Sequence, residues 1–419
     1  MRHSHSKSTH NHEIYFAHGR SINLIYSDNS IKVREFSEDH GYGIRVLKEG
    51  KLGFAHCQKE EDIENTIINA AKLSIHSPRT GFSFPNHSLF PALNICDKQV
   101  ASLDAAGLKD ILLRIVNKAS NKVEHCRVIL SAAVSEVALK NSEGFGGSYK
   151  QTNLSLSVES MIDDGYGYAF YSGFATPAEP NELGADAADM AISMRNPKKV
   201  ECGKYTIVLS PQALSSMLGI LMQSFSGEWK RKGITKLADK LDKQIFFEGL
   251  SIYDDPTDTT GSSARPFDDE GVASVRRPLI LKGRPVNFLY NLETAALEGV
   301  KKSGFCFRND YSAAPSIGNS NLIFDAGDYS SFEEELHECI LIHSMHGSHT
   351  SNPTTGDFGL EVSTAFHIKN GKKMPVRGFV LSGNVFNLFK NIIGLEKKVR
   401  VFGYLISPYI AFDMVRVVS

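Results

Sequence analysis

The sequence has no cysteine pair at the spacing of a zinc ribbon or a dithiol redox motif. Its six cysteines, Cys57, Cys96, Cys126, Cys202, Cys306 and Cys339, are scattered. That argues against a disulfide framework and fits free thiols in a reducing, cytoplasmic compartment. No apolar run approaches about 18 residues, so no segment reads as a membrane span. No basic block accompanies the net charge of −1, which leaves no support for a phosphate-binding, nucleic-acid surface. G-x-G-x-x-G after a strand, G-x-x-x-x-G-K-S/T and G-x-S-x-G are all missing, and with them the cheapest evidence for dinucleotide, P-loop and hydrolase chemistry. The opening MRHSHSKSTHNH lacks the apolar stretch of a secretory signal and reads as a disordered, His-rich tail over residues 1–12.

What is there suits a soluble globular chain: 42% apolar and 22% charged residues. At 419 residues it is long for one core, so two domains are expected. Residues 14–51 read as β-hairpins around Asp-Asn-Ser and Lys-Glu-Gly-Lys turns. Amphipathic helices follow at 60–76 and, capped by Asp104, at 103–120. Strands return over 127–170, and a third helix covers 182–195. The polar break NPKKVECGKY sets a boundary near residue 200, giving domains over 13–199 and 200–419. The second half opens with a strand, YTIVLS, and a helix from Pro211. Further strands are expected at 277–282, 358–369 and 375–382, and helices at 331–345 and 385–393. Strands precede helices in both halves rather than alternating with them. The fold class is therefore α+β, with mixed or antiparallel sheets.

The stretch EELHECILIHSMHGSH invites a zinc reading, and its spacing argues against one. A metal helix needs two histidines one turn apart, whereas His337 and His343 are six apart. On a helix they point roughly 120° away from each other. Leu336, Cys339, Ile340 and His343 form the apolar stripe, so His343 reads as a core residue and His337 as a flank. His346 and His349 continue a step of three until Gly347 ends the helix. Asp268, Asp269 and Glu270 in PFDDEG read first as a solvated acidic loop turning at Gly271. The other reading is a site for a cation or a peptide amine. In TSNPTTGDFG, Asn352, Thr355 and Asp357 are placed to bond backbone or, alternatively, to hold a peptide main chain. Trp229 and the aromatic run GYGYAFYSGF read as core.

Four phrases in order, GYGIRVLKEGKLGFAH, VALKNSEG, RPFDDEGVASVRRPLILKGRPVNFLYNLETAALEG and GSHTSNPTTGDFGLEVSTAFHIKNGKKMPVRGFVLSGN, resemble the TldD/PmbA family, also called gyrase modulators. The resemblance spans about residues 20–410. It implies a two-domain α+β fold in a proteolytic system of two related subunits. In the TldD-like subunit, H-E-x-x-x-H on a helix and a cysteine near the C-terminus bind zinc; the TldE/PmbA-like subunit lacks them and completes the chamber. Here the corresponding window reads Gly219-Ile220-Leu221-Met222-Gln223-Ser224, and Phe402 stands at the cysteine position. The resemblance thus implies no catalytic or metal-ligating residue and no cofactor in this chain, with zinc in a TldD-like partner and unfolded peptides as substrates. Asp268, Asp269, Glu270, His349, Asn352 and Asp357 are the candidates for contact with substrate or partner. Two alternatives stand beside it: a homodimeric regulator of a DNA enzyme, and an independent hydrolase using His337, His343, His346 and His349.

Overall fold

A computed structural model describes residues 10–86, 88–301 and 304–419. The first half holds β1 (Asn11–Ser27), β2 (Ser30–Lys48), β3 (Lys51–Cys57), α1 (Ile63–Leu73), α2 (Lys98–Ala101), α3 (Ala105–Ser120), β4 (His125–Asn141), β5 (Gly146–Ile162), β6 (Gly165–Gly173) and α4 (Glu182–Ser193). Its six strands form one antiparallel sheet, ordered β3-β2-β1-β4-β5-β6. The turn chemistry dictates the hairpins. Asp28 and Asn29, and again Glu49 and Gly50, take positive φ, the conformation that matches a two-residue turn to the twist of its strands. Asp104 caps α3 by accepting from the Gly107 N–H at 2.8 Å. The helix then buries Leu108, Leu112 and Ile115 against Leu130, Leu154 and Leu156 of the sheet. Burying each such side chain favours folding by about 1.5–3 kcal/mol.

The second half continues with β7 (Gly203–Leu209), α5 (Pro211–Gln223), α6 (Gly227–Arg231), β8 (Ile252–Asp254), β9 (Arg277–Leu281), β10 (Arg284–Pro285), α7 (Leu292–Leu297), β11 (Cys306–Phe307), β12 (Ser316–Ile317) and β13 (Leu322–Phe324). It ends with α8 (Phe332–Glu335), β14 (Glu338–His346), β15 (Asp357–Lys369), β16 (Lys372–Val376), β17 (Val380–Asn384), α9 (Val385–Lys390), β18 (Ile392–Phe402) and β19 (Leu405–Val418). Strand pairing closes a circuit: β7 to β14, β15, β17, β19 and back to β7. The β7–β14 and β13–β19 pairs are parallel, so this sheet is mixed. Helix α5 starts with Pro211 after the Ser210 cap and packs Leu214, Leu218 and Leu221 into the main core with Ile340, Leu381 and Phe412. The chain is α+β, as its sequence pattern indicates. Strands of the first sheet end at Gly173, and those of the second begin at Gly203.

Several expectations need correction. The helix expected over 331–345 is one turn, α8, followed by strand β14. Cys339, Ile340, Leu341 and Ile342 are all buried, because β14 lies between β15 and β7 with both faces covered. A continuous apolar run of this kind carries a helical periodicity by accident. The strand expected over 375–382 is two strands, broken at Gly378 with φ of 78°. The helix expected to reach 393 stops at Lys390. Of the expected tail, residues 1–9 lie outside the described residues, and Asn11 and His12 already belong to β1.

The histidines do not gather. His337, His346 and His349 are exposed, at the start of β14, at its end and in the turn beyond. The His343 ring sits edge-on between Phe366 and Tyr409, with centroids 5.8 and 6.2 Å away. Burial, then Lys373 and Arg400, lowers its pKa to about 4. A histidine depressed in the folded state contributes stability above its unfolded pKa of 6.5. That contribution is lost as pH falls towards 4. Urea unfolding of wild type and His343→Phe at pH 4 to 7 should show the variant gaining on wild type by on the order of 2–3 kcal/mol as pH falls. A difference independent of pH would contradict the neutral buried imidazole.

Candidate functional site: a buried ion network beneath a cleft

The β1–β2 register sets Glu13 directly opposite Arg45. Both lie on the face opposite α1, among otherwise apolar strand residues, and both are shielded from water. Arg45 donates through Nε and Nη2 to the two carboxylate oxygens of Glu13, at 2.9 and 2.7 Å. Its Nη1 donates to Glu270 at 2.5 Å. The other Glu270 oxygen accepts from the Leu292 N–H at the start of α7. Arg308 completes the chain, donating from Nη2 to Glu13 at 2.7 Å. Charge-assisted bonds of this geometry are the strong ones, and they join the first hairpin to two segments of the second half.

Asp268 and Asp269 support this network from behind. Asp268 accepts from the N–H groups of Glu270, Val272 and Cys306. Burial, then the Glu270 charge, raises its pKa to about 7. Asp269 accepts from the Arg308 N–H at 2.6 Å and lies 3.7 Å from Arg265; burial raises its pKa. The guanidinium of Arg265 stacks on Phe307 at 3.3 Å. The three consecutive acids are thus not a solvated loop. Their exposures are 2%, 5% and 0%, since each charge has a guanidinium or several N–H partners. Reversing Asp268 and Asp269 to lysine is therefore no surface change, and would bury unpaired charge.

Above the network lies a cleft of about 410 Å³ between the first sheet and the 307–311 loop. Its walls include Tyr15, Tyr149, Arg265, Asp269, Arg308 and Tyr311. Burial, then Asp269, raises the phenol pKa of both Tyr15 and Tyr149, so both remain neutral hydrogen-bonding groups. The Gly41-Tyr42-Gly43 motif lets the 307–311 loop approach. A Cβ on Gly43 would come within 2.5 Å of the Tyr311 carbonyl, and one on Gly41 would strike the Tyr311 ring. Such a surface can hold an extended chain by polar contacts and aromatic walls.

The other candidates lie elsewhere. Asn352 accepts from the N–H groups of Thr354 and Thr355. Asp357 pairs with Thr355 Oγ1 and Asn384. Both shape their own turn and line no part of the cleft. Trp229 is half-buried in α6. Sequence reasoning missed Glu13, Arg45 and Arg308. The available signal was a charged residue at a core-facing position of a strand, as in NHEIYF and GIRVL.

The positions at which the resemblance would place zinc ligands do not fit a metal. Gly219 is exposed and has no side chain, Ile220 is buried in the core, and the buried Ser224 offers only a hydroxyl. The Phe402 ring rests 5.0 Å from that of Phe170. Among the described residues no group of three histidine, cysteine, aspartate or glutamate side chains could hold an ion.

The network itself is testable. Arg45→Met should destabilise the chain by about 3–5 kcal/mol in urea unfolding, because Glu270 is left buried without a counter-charge and Glu13 keeps only Arg308. Adding Glu270→Gln, which leaves the Arg308–Glu13 pair intact, should restore most of that loss. An effect below about 1 kcal/mol for the single variant would show that the charges are solvated.

Comparison with known proteins gives the family. The chain matches the PmbA/TldA metallopeptidase domain 1 over residues 12–74, the central domain over 98–195 and the C-terminal domain over 202–419. It is 30% identical to a Methanocaldococcus jannaschii protein, covering 96% of this chain and 94% of that one. It is 25% identical to the metalloprotease PmbA of Escherichia coli O157:H7, over 90% and 84%. The crystal structure of TldE from Thermococcus kodakarensis superposes with a TM-score of 0.89 at 22% identity, over 98% and 97% of the two chains. Three domain matches in order, relatives covered nearly end to end and a shared fold leave one conclusion: this chain belongs to the PmbA/TldD metallopeptidase family.

Proposed function

We propose that this chain is the non-catalytic, TldE/PmbA-like subunit of a two-component zinc peptidase acting on unfolded proteins or peptides. The observation that carries the reading is the 219–224 window at the end of α5. Where a TldD-like subunit has two imidazoles and a glutamate, this chain has Gly219, Ser224 and Ile220, and Ile220 packs into the main core. Hydrolysis by zinc needs about three protein ligands, a bound water and a base, and these side chains supply none. In this reading the chain's own residues do the binding. The phenols of Tyr15 and Tyr149 stay protonated beside a fixed set of charges, and the 307–311 loop walls the cleft. Zinc and the base that activates water belong to the TldD-like partner.

The expected behaviour is specific. The isolated chain does not hydrolyse unfolded peptides. Mixed with a TldD-like subunit from the same host, it raises hydrolysis at least about tenfold above either chain alone, within the reach of substrate positioning. Activity of this chain alone, surviving removal of contaminating peptidases, would refute the reading. So would full activity of the TldD-like subunit by itself.

A further inference from the structure

The floor of the cleft is short of hydrogen-bond acceptors. Arg265 lines it and is only 7% exposed. Its Nη2 is buried and meets no acceptor among the described residues. The carboxylate of Asp269 lies 3.7 Å from Nη1, beyond hydrogen-bond reach. The same Asp269 oxygen is already taken by the Arg308 N–H at 2.6 Å. Stacking on Phe307 covers one face of the Arg265 guanidinium. Its edge, where the N–H groups point, is left for another partner.

Three more donors on this floor are idle. The Nε of Arg308 is buried without a partner. The hydroxyls of Tyr15 and Tyr149, which also line the cleft, make no hydrogen bond among the described residues. Burial keeps both phenols neutral, so each retains a proton to donate. The groups lie close together. The Arg308 guanidinium sits 4.6 Å from the centre of the Tyr15 ring, and the Arg265 charge acts on both phenols. Buried donors without acceptors are costly to a fold, and a ligand that brings acceptors relieves that cost. The acids at the rim do not supply them. Asp39, Glu136 and Asp310 are exposed. Asp39 accepts from the His40 N–H, and Asp310 from the N–H and hydroxyl of Ser312.

We infer that this floor is a carboxylate subsite: a carboxylate of the bound peptide, from its free C-terminus or an acidic side chain, accepts from the Arg265 edge and from the Tyr15 and Tyr149 hydroxyls. A carboxylate only accepts, and its two oxygens offer about four lone-pair positions. It also matches the guanidinium fork, which makes the bond charge-assisted. A main-chain carbonyl has one oxygen and no charge, so it would leave most of these donors idle. A phosphate would set nearly two negative charges against Asp269 and the acidic rim. The rim itself suits a basic residue beside the anchored carboxylate. The subsite rests on the reading of the cleft as a peptide-binding surface, and it adds a chemical preference to that surface.

Fluorescence polarisation of the full chain with N-terminally labelled pentapeptides of alanine and lysine tests the subsite without a partner subunit. One peptide ends in a free carboxylate, the second in an amide, and the third is amidated with one internal glutamate. The free acid should bind at least about tenfold tighter than the plain amide. If the glutamate peptide binds like the free acid, the subsite takes side chains; if it binds like the amide, the subsite takes the C-terminus. Arg265→Met should bring the free acid down to the level of the amide. Tyr15→Phe with Tyr149→Phe removes only hydroxyls that bond nothing within the chain. That pair should leave thermal unfolding unchanged and weaken the free acid at least about threefold, with a smaller effect on the amide. Should Arg265→Met fail to fold, the tyrosine pair decides. Equal binding of acid and amide by the wild type would overturn the inference, and so would binding of neither. A preference for the acid that survives these substitutions would overturn it as well. None of these results touches the peptidase reading, which stands or falls on hydrolysis with a TldD-like subunit.

Discussion

Arg45 is the residue on which the arrangement depends. Its fork is held on one side by Glu13, directly opposite in the first hairpin, and on the other by Glu270, 225 residues along the chain. A buried ion pair contributes little net stability against an apolar equivalent, since desolvation offsets most of the Coulomb attraction. Breaking one partner is costly. The consequence is specificity of position. Only one placement of the 265–272 segment satisfies the arginine, and that placement brings Arg308 and Tyr311 over Gly41 and Gly43 to wall the cleft. Two of the sequence blocks that carry the family resemblance, GYGIRVL and RPFDDEG, are thereby the two halves of one contact.

The same logic separates what this chain has kept from what it lacks. The cleft and the charges beneath it need polar residues at buried positions, and these are present with partners. The 219–224 window and Phe402 need metal donors if the chain is to do zinc chemistry, and they hold no histidine, glutamate or cysteine. Ile220, Leu221 and Met222 join the main core instead. The proposed division of labour follows: this chain offers surface, and another offers the ion.

Much of the fold was legible because local chemistry dictates it. Asp-Asn and Glu-Gly turns announced the hairpins, Asp104 and Pro211 announced helix starts, and α1 and α3 showed clear apolar stripes. The misreadings have definite physical causes. Strand β14 is covered on both faces, so its apolar run lost the alternation that marks a half-buried strand. The acidic triplet looked solvated because its partners, Arg45 and Arg308, lie far from it in sequence. Even the facing of Glu13 and Arg45 was out of reach. An irregularity between Ile25 and Tyr26 shifts the register by one residue. Without it Glu13 would oppose Ile44, and Arg45 would lie on the other face of the sheet from Glu13.

In the proposed division of labour zinc is not this chain's own. Elemental analysis of the chain lacking residues 1–9, after mild dialysis, tests it directly. Removing only those residues clears His3 and His5 and leaves β1 whole. No stoichiometric zinc is expected in the isolated chain. About one tightly held zinc per chain would contradict it.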